Sequence, residues 1–455
     1  MLKIRNFFQN SGSIYLLCAV LSAAALINAV CGAGMIEDGV HHFWEAITRD
    51  NIFIGHDGTN VFPYNSRYFP SLIPHILTGL SALLGIHSIK TLLFIFTFLS
   101  YIAPLFFMAV IYSNIPANKK NGFEFAVLSF LSSILFMVYQ IWTENFTTGL
   151  FLWTVFFIYF YADFNNLSKI NKASLLIFPF MLISSHPATA VTGSVILVYG
   201  IIKYLRKNIS ANIFIKASFI LLFIAIAFNV YFIINPIVDG KSDYYRLAIL
   251  KDFRFAAFMF CMCAVVFISV LKRSYIFLTI IFTAAIVYIT FFKIPTYAGF
   301  NYRVAGFTIP LFLICFLIAS DYLKADIRYA NIKILNFALM VVFLFNICHY
   351  GIVWKNHLNS FEKYIISKKE ITLDVKKEFY PQDFEHSPYR LHHFHSTPFI
   401  AVLLGCPGKK KEDCFITVKT DQKYFDILYP QINGAKNKLS EYSINVEDCF
   451  RLEKE

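Results

Sequence analysis

Over its first 355 positions the chain alternates long apolar runs with short polar links. Runs of about 18 or more apolar residues read as membrane-crossing helices. They lack the two-residue alternation of barrel strands, and an open sheet cannot satisfy its backbone in lipid. The pattern predicts helices over 14–33, 89–113, 123–140, 147–164, 172–184, 187–205, 213–235, 254–271, 274–292, 303–321 and 334–354. The stretch 172–205 is divided in two because, at about 1.5 Å per residue, it would span ~51 Å as one helix. Pro187 interrupts it, and Ser185, His186 and Pro187 form the turn.

Residues 67–90, "RYFPSLIPHILTGLSALLGIHSIK", are also apolar, but Pro70, Pro74 and His75 break their start. Charge decides whether they cross. If they lie at the interface, one side of the membrane collects 14 basic residues: Lys3, Arg5, Lys119, Lys120, Lys169, Lys172, Lys203, Arg206, Lys207, Lys272, Arg273, Lys324, Arg328 and Lys333. The short loops of the other side then hold six, Lys241, Arg246, Lys251, Arg254, Lys293 and Arg303. If they cross, everything after them flips and only Lys3 and Arg5 stay. Basic residues favour the cytoplasmic side, so the interfacial reading wins. It gives about eleven crossings, a cytoplasmic N-terminus, a long first outer loop over 34–88 with interfacial helices, and a C-terminus outside.

Composition agrees. The chain is 57% hydrophobic and 15% charged, against about 25% charged for a soluble protein. Its 52 Phe and 26 Tyr suit lipid-facing surfaces and interfacial belts. The net charge of +12 would suggest nucleic acid in a soluble chain, but these basic residues sit in short loops between apolar runs, where they set topology. There is no Walker A loop, no GxGxxG after a strand and no CxxC pair, so nucleotide binding and structural zinc have no support. The first run is longer than the 7–15 residues typical of a signal peptide, which reads as an uncleaved helix.

Residues 355–455 are charged and loop-rich. The strand-like runs "PFIAVLLG", "CFITVKT" and "YFDILYP" predict a small α+β domain on the outer face. The fold class is thus an all-α polytopic membrane protein over 1–354 with that domain appended. In "GCPGKKKEDC" the close cysteines Cys406 and Cys414 suit a disulfide in an oxidising compartment, leaving Cys449 over.

On this topology the outer face gathers the ionisable residues. The first loop contributes Glu37, Asp38, His41, His42, Glu45, Arg49, His56, Asp57, Arg67 and His75, with Lys90 entering the next helix. Later loops add Glu144, His186, Asp239, Arg246, Tyr302 and Arg303. Several of these have plain structural readings. Glu37 and Asp38 suit the N-terminus of the helix that "GVHHFWEAI" predicts. His41 and His42 with His56 and Asp57 match no metal-ligand spacing, so no metal site is assigned. "LHHFHS", 391–396, reads as a solvated tail segment, and the basic residues of 236–253 as snorkelling anchors.

An N-in first helix, a long outer loop opening on the acidic pair of "IEDG", an interfacial Pro-containing helix, many further helices and an outer domain together resemble the polytopic C-type (GT-C fold) glycosyltransferases. The His-Pro of "SSHPATA" and the Arg of "NYRVAGFTIPL" are similar to patterns in bacterial members. The resemblance implies transfer of a sugar from a polyprenyl-phosphate donor to a glycan or lipid acceptor on the periplasmic face of a bacterial inner membrane. It implies Asp38 as catalytic base with Glu37 beside it. The proline-rich segment here has no adjoining acid, so Glu144 or Asp57 must substitute for a second acidic role.

Chemistry supplies the other roles. A carboxylate can take the proton of an acceptor hydroxyl. A departing lipid phosphate needs cations, for which Lys90, Arg246 and Arg303 stand at helix boundaries. His186, Glu144, His41 and Tyr302 are placed with sugar or acceptor. A divalent cation is the one cofactor left open. The alternatives are a flippase for lipid-linked saccharides, against which no internal repeat is found, and an O-antigen polymerase, whose large loop usually comes late among the helices.

Overall fold

The computed structural model describes residues 12–35, 38–48, 68–134, 144–183, 185, 188–206, 212–234, 298–322, 327, 329–366, 369–374, 397–408, 415–420 and 422–454. It is mostly helical. The membrane-type helices are α1 (Gly12–Cys31), α4 (Ile89–Asn114), α5 (Phe123–Ile134), α6 (Glu144–Tyr161), α7 (Lys169–Leu182), α8 (Ala188–Arg206), α9 (Ile213–Ile234), α10 (Ala298–Tyr322) and α11 (Tyr329–Ile366). Between α1 and α4 lie α2 (Asp38–Thr48) and α3 (Tyr68–Leu83), with a short 3-10 turn at Ala33–Met35. The expected helices at 254–271 and 274–292 lie outside the described residues.

Among the described residues, four helices are long and apolar enough to cross a membrane, within Ile14–Cys31, Ile89–Asn114, Ile213–Tyr231 and Tyr329–Ile365, while Thr147–Tyr161 and Ile309–Tyr322 are shorter apolar helices. The protein is thus an α-helical chain of membrane character. The break in 172–205 is present: α7 ends at Leu182, α8 begins at Ala188, and the buried Ser185 hydroxyl between them bonds Leu182 O (3.0 Å) and Thr189 Oγ1 (3.1 Å). Pro187 lies outside the described residues.

Helix α5 is buried along its whole length, Glu124, Ser129, Ser132 and Ser133 included, and packs against α10, α11 and α6. Its one acid, Glu124, takes a hydrogen bond from Asn336 Nδ2 of α11 (2.8 Å), which also reaches the Glu124 carbonyl (3.0 Å). A buried carboxylate needs such donors.

Contacts between loop-end residues assign the helix ends. At one end Asn171 Nδ2 donates to Asn114 Oδ1 (2.9 Å), Lys203 Nζ to the carbonyls of Tyr159 and Phe160 (2.6 Å each), Asn212 Nδ2 to Phe164 O (2.8 Å), and Arg206 to the Tyr322 hydroxyl. Lys119, Lys120, Lys169, Lys172, Lys203 and Arg206 gather here. At the opposite end Trp354 Nε1 donates to Gly32 O (2.9 Å) and Asn229 Nδ2 to Leu182 O (3.0 Å). Among the described residues, these contacts give the successive membrane-type helices alternating directions.

One boundary differs from expectation. The last helix does not stop at 354. α11 runs 38 residues, about 57 Å, nearly twice a hydrocarbon core of roughly 30 Å. Its final turns, carrying Lys355, His357, Glu362 and Lys363, pass beyond the Gly32 level and lead straight into the tail.

The tail also differs in detail. Its strands β1 (Glu370–Asp374), β2 (Phe415–Thr420) and β3 (Phe450–Lys454) form one all-parallel sheet in the order 1-2-3, with Ile371 opposite Ile416 and Val418 opposite Leu452. Helix α12 (Thr397–Gly405) lies between β1 and β2; α13 (Gln422–Gly434), α14 (Lys436–Ser440) and α15 (Val446–Cys449) lie between β2 and β3. "CFITVKT" is a strand, but "PFIAVLLG" and "YFDILYP" are helical. The first of these is buried on nearly every side, and a short continuous apolar run carries no period to separate strand from helix. A layout of strand, helix, strand, helices, strand is what parallel pairing requires, in place of the segregated α+β arrangement expected.

The expected Cys406–Cys414 bridge is also corrected. Cys406 is bonded to Cys449, 43 residues away, tying the end of α12 to the end of α15. Spacing alone cannot fix connectivity. Cys414 lies outside the described residues.

Candidate functional site

The site is built at the end where the first span finishes. Gly32 turns the chain with φ +69°, a conformation open to glycine and costly to other residues. The 3-10 turn then lays Gly34 against α4, where its N–H donates to Thr97 Oγ1 (3.2 Å). The approach is so close that a Cβ at Gly34 would stand 2.3 Å from that oxygen. Two residues separate this turn from α2, which Asp38 opens. An acid at a helix N-terminus faces unpaired N–H groups and the positive end of the helix dipole.

Helix α2 is buried from Phe43 to Ile47. It packs on α3, on α12 and on α14. Trp44 meets Phe399 of α12 edge to face at 4.7 Å between centroids, and the Tyr442 hydroxyl donates to Ile47 O (2.9 Å). The tail segment and the first loop therefore occupy one end of the molecule, and the tail holds the acid-led helix in place.

His42 and Glu45 of α2 face α3. His42 and Glu45, one helical turn apart, are 5% and 8% exposed. His75 of α3 comes up to them: its ring lies 5.4 Å from that of His42, and 6.0 Å from Phe96 of α4. One ligand atom from each of His42, Glu45 and His75 lies within 4.8 Å of the others. One turn beyond His75, Thr78 is fully buried and its hydroxyl has no hydrogen-bond partner among the described residues.

Helix α3 is short. Its 16 residues are too few for a hydrocarbon core needing about 20. It packs on α2 and α4 with Leu80, Leu83 and Leu84 at its end exposed. Pro70 falls in the first turn, where no intrahelical partner is lost; Pro74, inside the helix, is accommodated.

The sequence-derived residues distribute as follows. Glu37, His186 and Arg246 lie outside the described residues, as do His56 and Asp57. At Asp38, His41, Glu144, Tyr302 and Arg303 the helical backbone is described and the side chains are not. The α6 and α10 backbones do converge: a Cβ at Gly149 would stand 3.8 Å from Pro310. Residues 144 and 303 are the opening turns of these two parallel neighbours, at the same end of the bundle. Lys90 stands on the first turn of α4 but has a counter-ion of its own. Its Nζ lies 3.0 Å from Glu362 Oε1, with the Lys90 side chain 76% exposed.

Reading by motif overlooked the grouping of His42, Glu45 and His75. The signal was present in "HFWE", an i, i+3 pair on one helix face. Its third member lies 33 positions on, in a segment whose prolines obscure its helix. Among known proteins no family model, curated sequence or solved structure matches the chain.

Proposed function

We propose that the chain is an integral-membrane glycosyltransferase that moves a sugar from a polyprenyl-phosphate donor to a glycan or lipid acceptor of a bacterial cell envelope. The observation that carries the reading is the seating of α2. An acid opens this helix within a few residues of the end of the first span, and the helix is then held by α3, by the tail and by Phe43 against Phe96 of α4. A base that must meet both a lipid-borne donor and an acceptor belongs at such a boundary, on a rigid element.

Asp38 is assigned as the base, with Glu37 beside it. A positioned carboxylate contributes about 10²–10⁴-fold by taking the hydroxyl proton as the glycosidic bond forms. The sugar leaves a phosphate already charged, so the site needs cations more than a strong acid. Arg303, at the outer end of α10, and Arg246 are assigned to the phosphate, and Lys90 to it on release from Glu362. Glu144, His186, His41 and Tyr302 are assigned to sugar and acceptor. A single direct displacement inverts the anomeric centre. In this reading the basic end of the bundle is cytoplasmic, about eleven spans cross the inner membrane, and residues 355–455 are periplasmic.

The test is incubation of the purified protein with a radiolabelled polyprenyl-phosphate sugar and envelope acceptors. Transfer of one sugar residue is expected, and Asp38→Asn at wild-type expression should abolish it. Retained activity in that variant removes the base assignment. Growth of a chain would make the protein a polymerase, and no transfer at all would favour a carrier of lipid-linked saccharide.

A further inference from the structure

We infer that His42, Glu45 and His75 form a binding site for a divalent transition metal of the zinc class, bridging α2 to α3. The inference does not depend on the transferase reading.

The donor set comes first. Two imidazoles and one carboxylate are a combination that zinc takes with a fourth position left open. The geometry is near to hand. Ligand atoms on one tetrahedral zinc, bonded at about 2.0–2.1 Å, stand roughly 3.3–3.5 Å apart. The three here are already within 4.8 Å of one another, so side-chain rotation closes the site without moving either helix. The helices themselves are fixed against each other, for a Cβ at Gly79 of α3 would stand 3.5 Å from the Ala46 carbonyl of α2.

Burial adds the second argument. His42 and Glu45 are 5% and 8% exposed, and taking a carboxylate out of water costs several kcal/mol unless a cation or a full set of donors compensates. Ligation takes the imidazoles in their neutral form, and a bound dication would bring opposite charge to the Glu45 carboxylate. Third, the surroundings suit a metal. Phe96 walls the His75 ring at 6.0 Å, and the buried Thr78 hydroxyl, without a partner among the described residues, lies one turn along α3. A second layer of polar groups orients ligands and a bound water.

The consequence is mechanical as well as chemical. Asp38 opens α2 one turn before His42, so an ion held by α2 and α3 would fix where that acid stands. The open coordination position could take water or an oxygen of a bound substrate.

The test uses full-length protein in detergent, stripped with chelator and reloaded with Zn²⁺ or Co²⁺. After gel filtration, mass spectrometry should find one ion per chain, and Co²⁺ should give the visible d–d absorption of a low-coordinate nitrogen and oxygen site. Glu45→Gln, nearly isosteric, and His75→Ala should each weaken binding at least ~100-fold, the upper range for loss of an outer-layer partner. His87→Ala, an exposed histidine of the same region, should leave it unchanged. A monodisperse wild-type protein that retains no stoichiometric metal overturns the inference whatever the variants do. So does binding that survives both ligand substitutions, and the cluster is then a hydrogen-bonded ion group only. Because the readout is bound metal, its failure is separate from any failure of sugar transfer.

Discussion

The indole N–H of Trp354, 2.9 Å from the carbonyl oxygen of Gly32, joins the last helix of the bundle to the residue at which the first one ends. Trp354 is 1% exposed, so the Gly32 carbonyl has no water to fall back on. Trp354→Phe should keep most of the packing and remove one of the two bonds that carbonyl accepts, the other coming from Met35 N–H (3.1 Å), costing about 0.5–1.5 kcal/mol. Trp354→Ala should cost more, about 3–5 kcal/mol. Gly32→Ala should cost roughly 1–2 kcal/mol from its left-handed backbone, besides bringing a methyl to 3.0 Å from Leu358 Cδ1. Thermal unfolding in detergent measures all three. A Trp354→Phe protein as stable as wild type would show that the bond does not hold the two helices.

Two residues on, Gly34 and Thr97 set the height of the acid-led helix. Gly34→Ala cannot keep its place, because its Cβ would lie 2.3 Å from Thr97 Oγ1. The turn must lift from α4 and carry Asp38 with it. The expected outcome is loss of transfer activity out of proportion to loss of stability. A displacement of about 1 Å at a reacting group can cost ~10²-fold. Thr97→Ala should behave differently. It relieves contact but leaves the buried Gly34 N–H without its acceptor, at about 1–3 kcal/mol, and Thr97→Ser should restore the wild-type value. Unfolding midpoints and initial transfer rates, compared variant by variant, separate the two effects.

The disulfide between Cys406 and Cys449 closes a loop of 43 residues that contains β2 and α13. A loop of that size gives a bridge about 3–4 kcal/mol in the chain-entropy account. Cys406→Ser and Cys449→Ser should each loosen the tail by that order, seen as faster proteolysis of residues 397–454. Cys414→Ser should have no such effect. Peptide mapping without reductant should recover the 406–449 pair; recovery of 406–414 instead would reverse the assignment.

Much of this architecture was legible in the chain because the membrane imposes length and charge rules that soluble proteins escape. Helix positions, the break near 185 and the grouping of Lys119, Lys169, Lys203 and Arg206 at one end all follow from run lengths and basic residues. What was not legible had no local period or lay between distant segments. The run 398–405 is apolar throughout and so reads equally as strand or helix until its burial is seen. α11 continues past 354 because tail packing, not lipid, buries Phe361 and Ile365. The contact of His42 and Glu45 with His75 depends on α2 and α3 lying side by side, which no spacing in one segment reveals.

The last relationship to test is the hold of the tail on α2. Tyr442 is 3% exposed; its hydroxyl donates to Ile47 O, and its ring stands 6.1 Å from His87. Tyr442→Phe removes one buried hydrogen bond while keeping the ring, and should cost about 1–3 kcal/mol, since the Ile47 carbonyl is left without this donor. Trp44→Ala empties the contact with Phe399 on the same surface and should cost about 3–5 kcal/mol. If the tail serves to seat α2, amide exchange in residues 38–48 should rise in both variants, and transfer should fall in the same order. If the tail is an independent appendage, exchange should rise in residues 397–405 and 436–446 alone, with α2 and the activity unchanged. Protection factors over those three segments decide between the two.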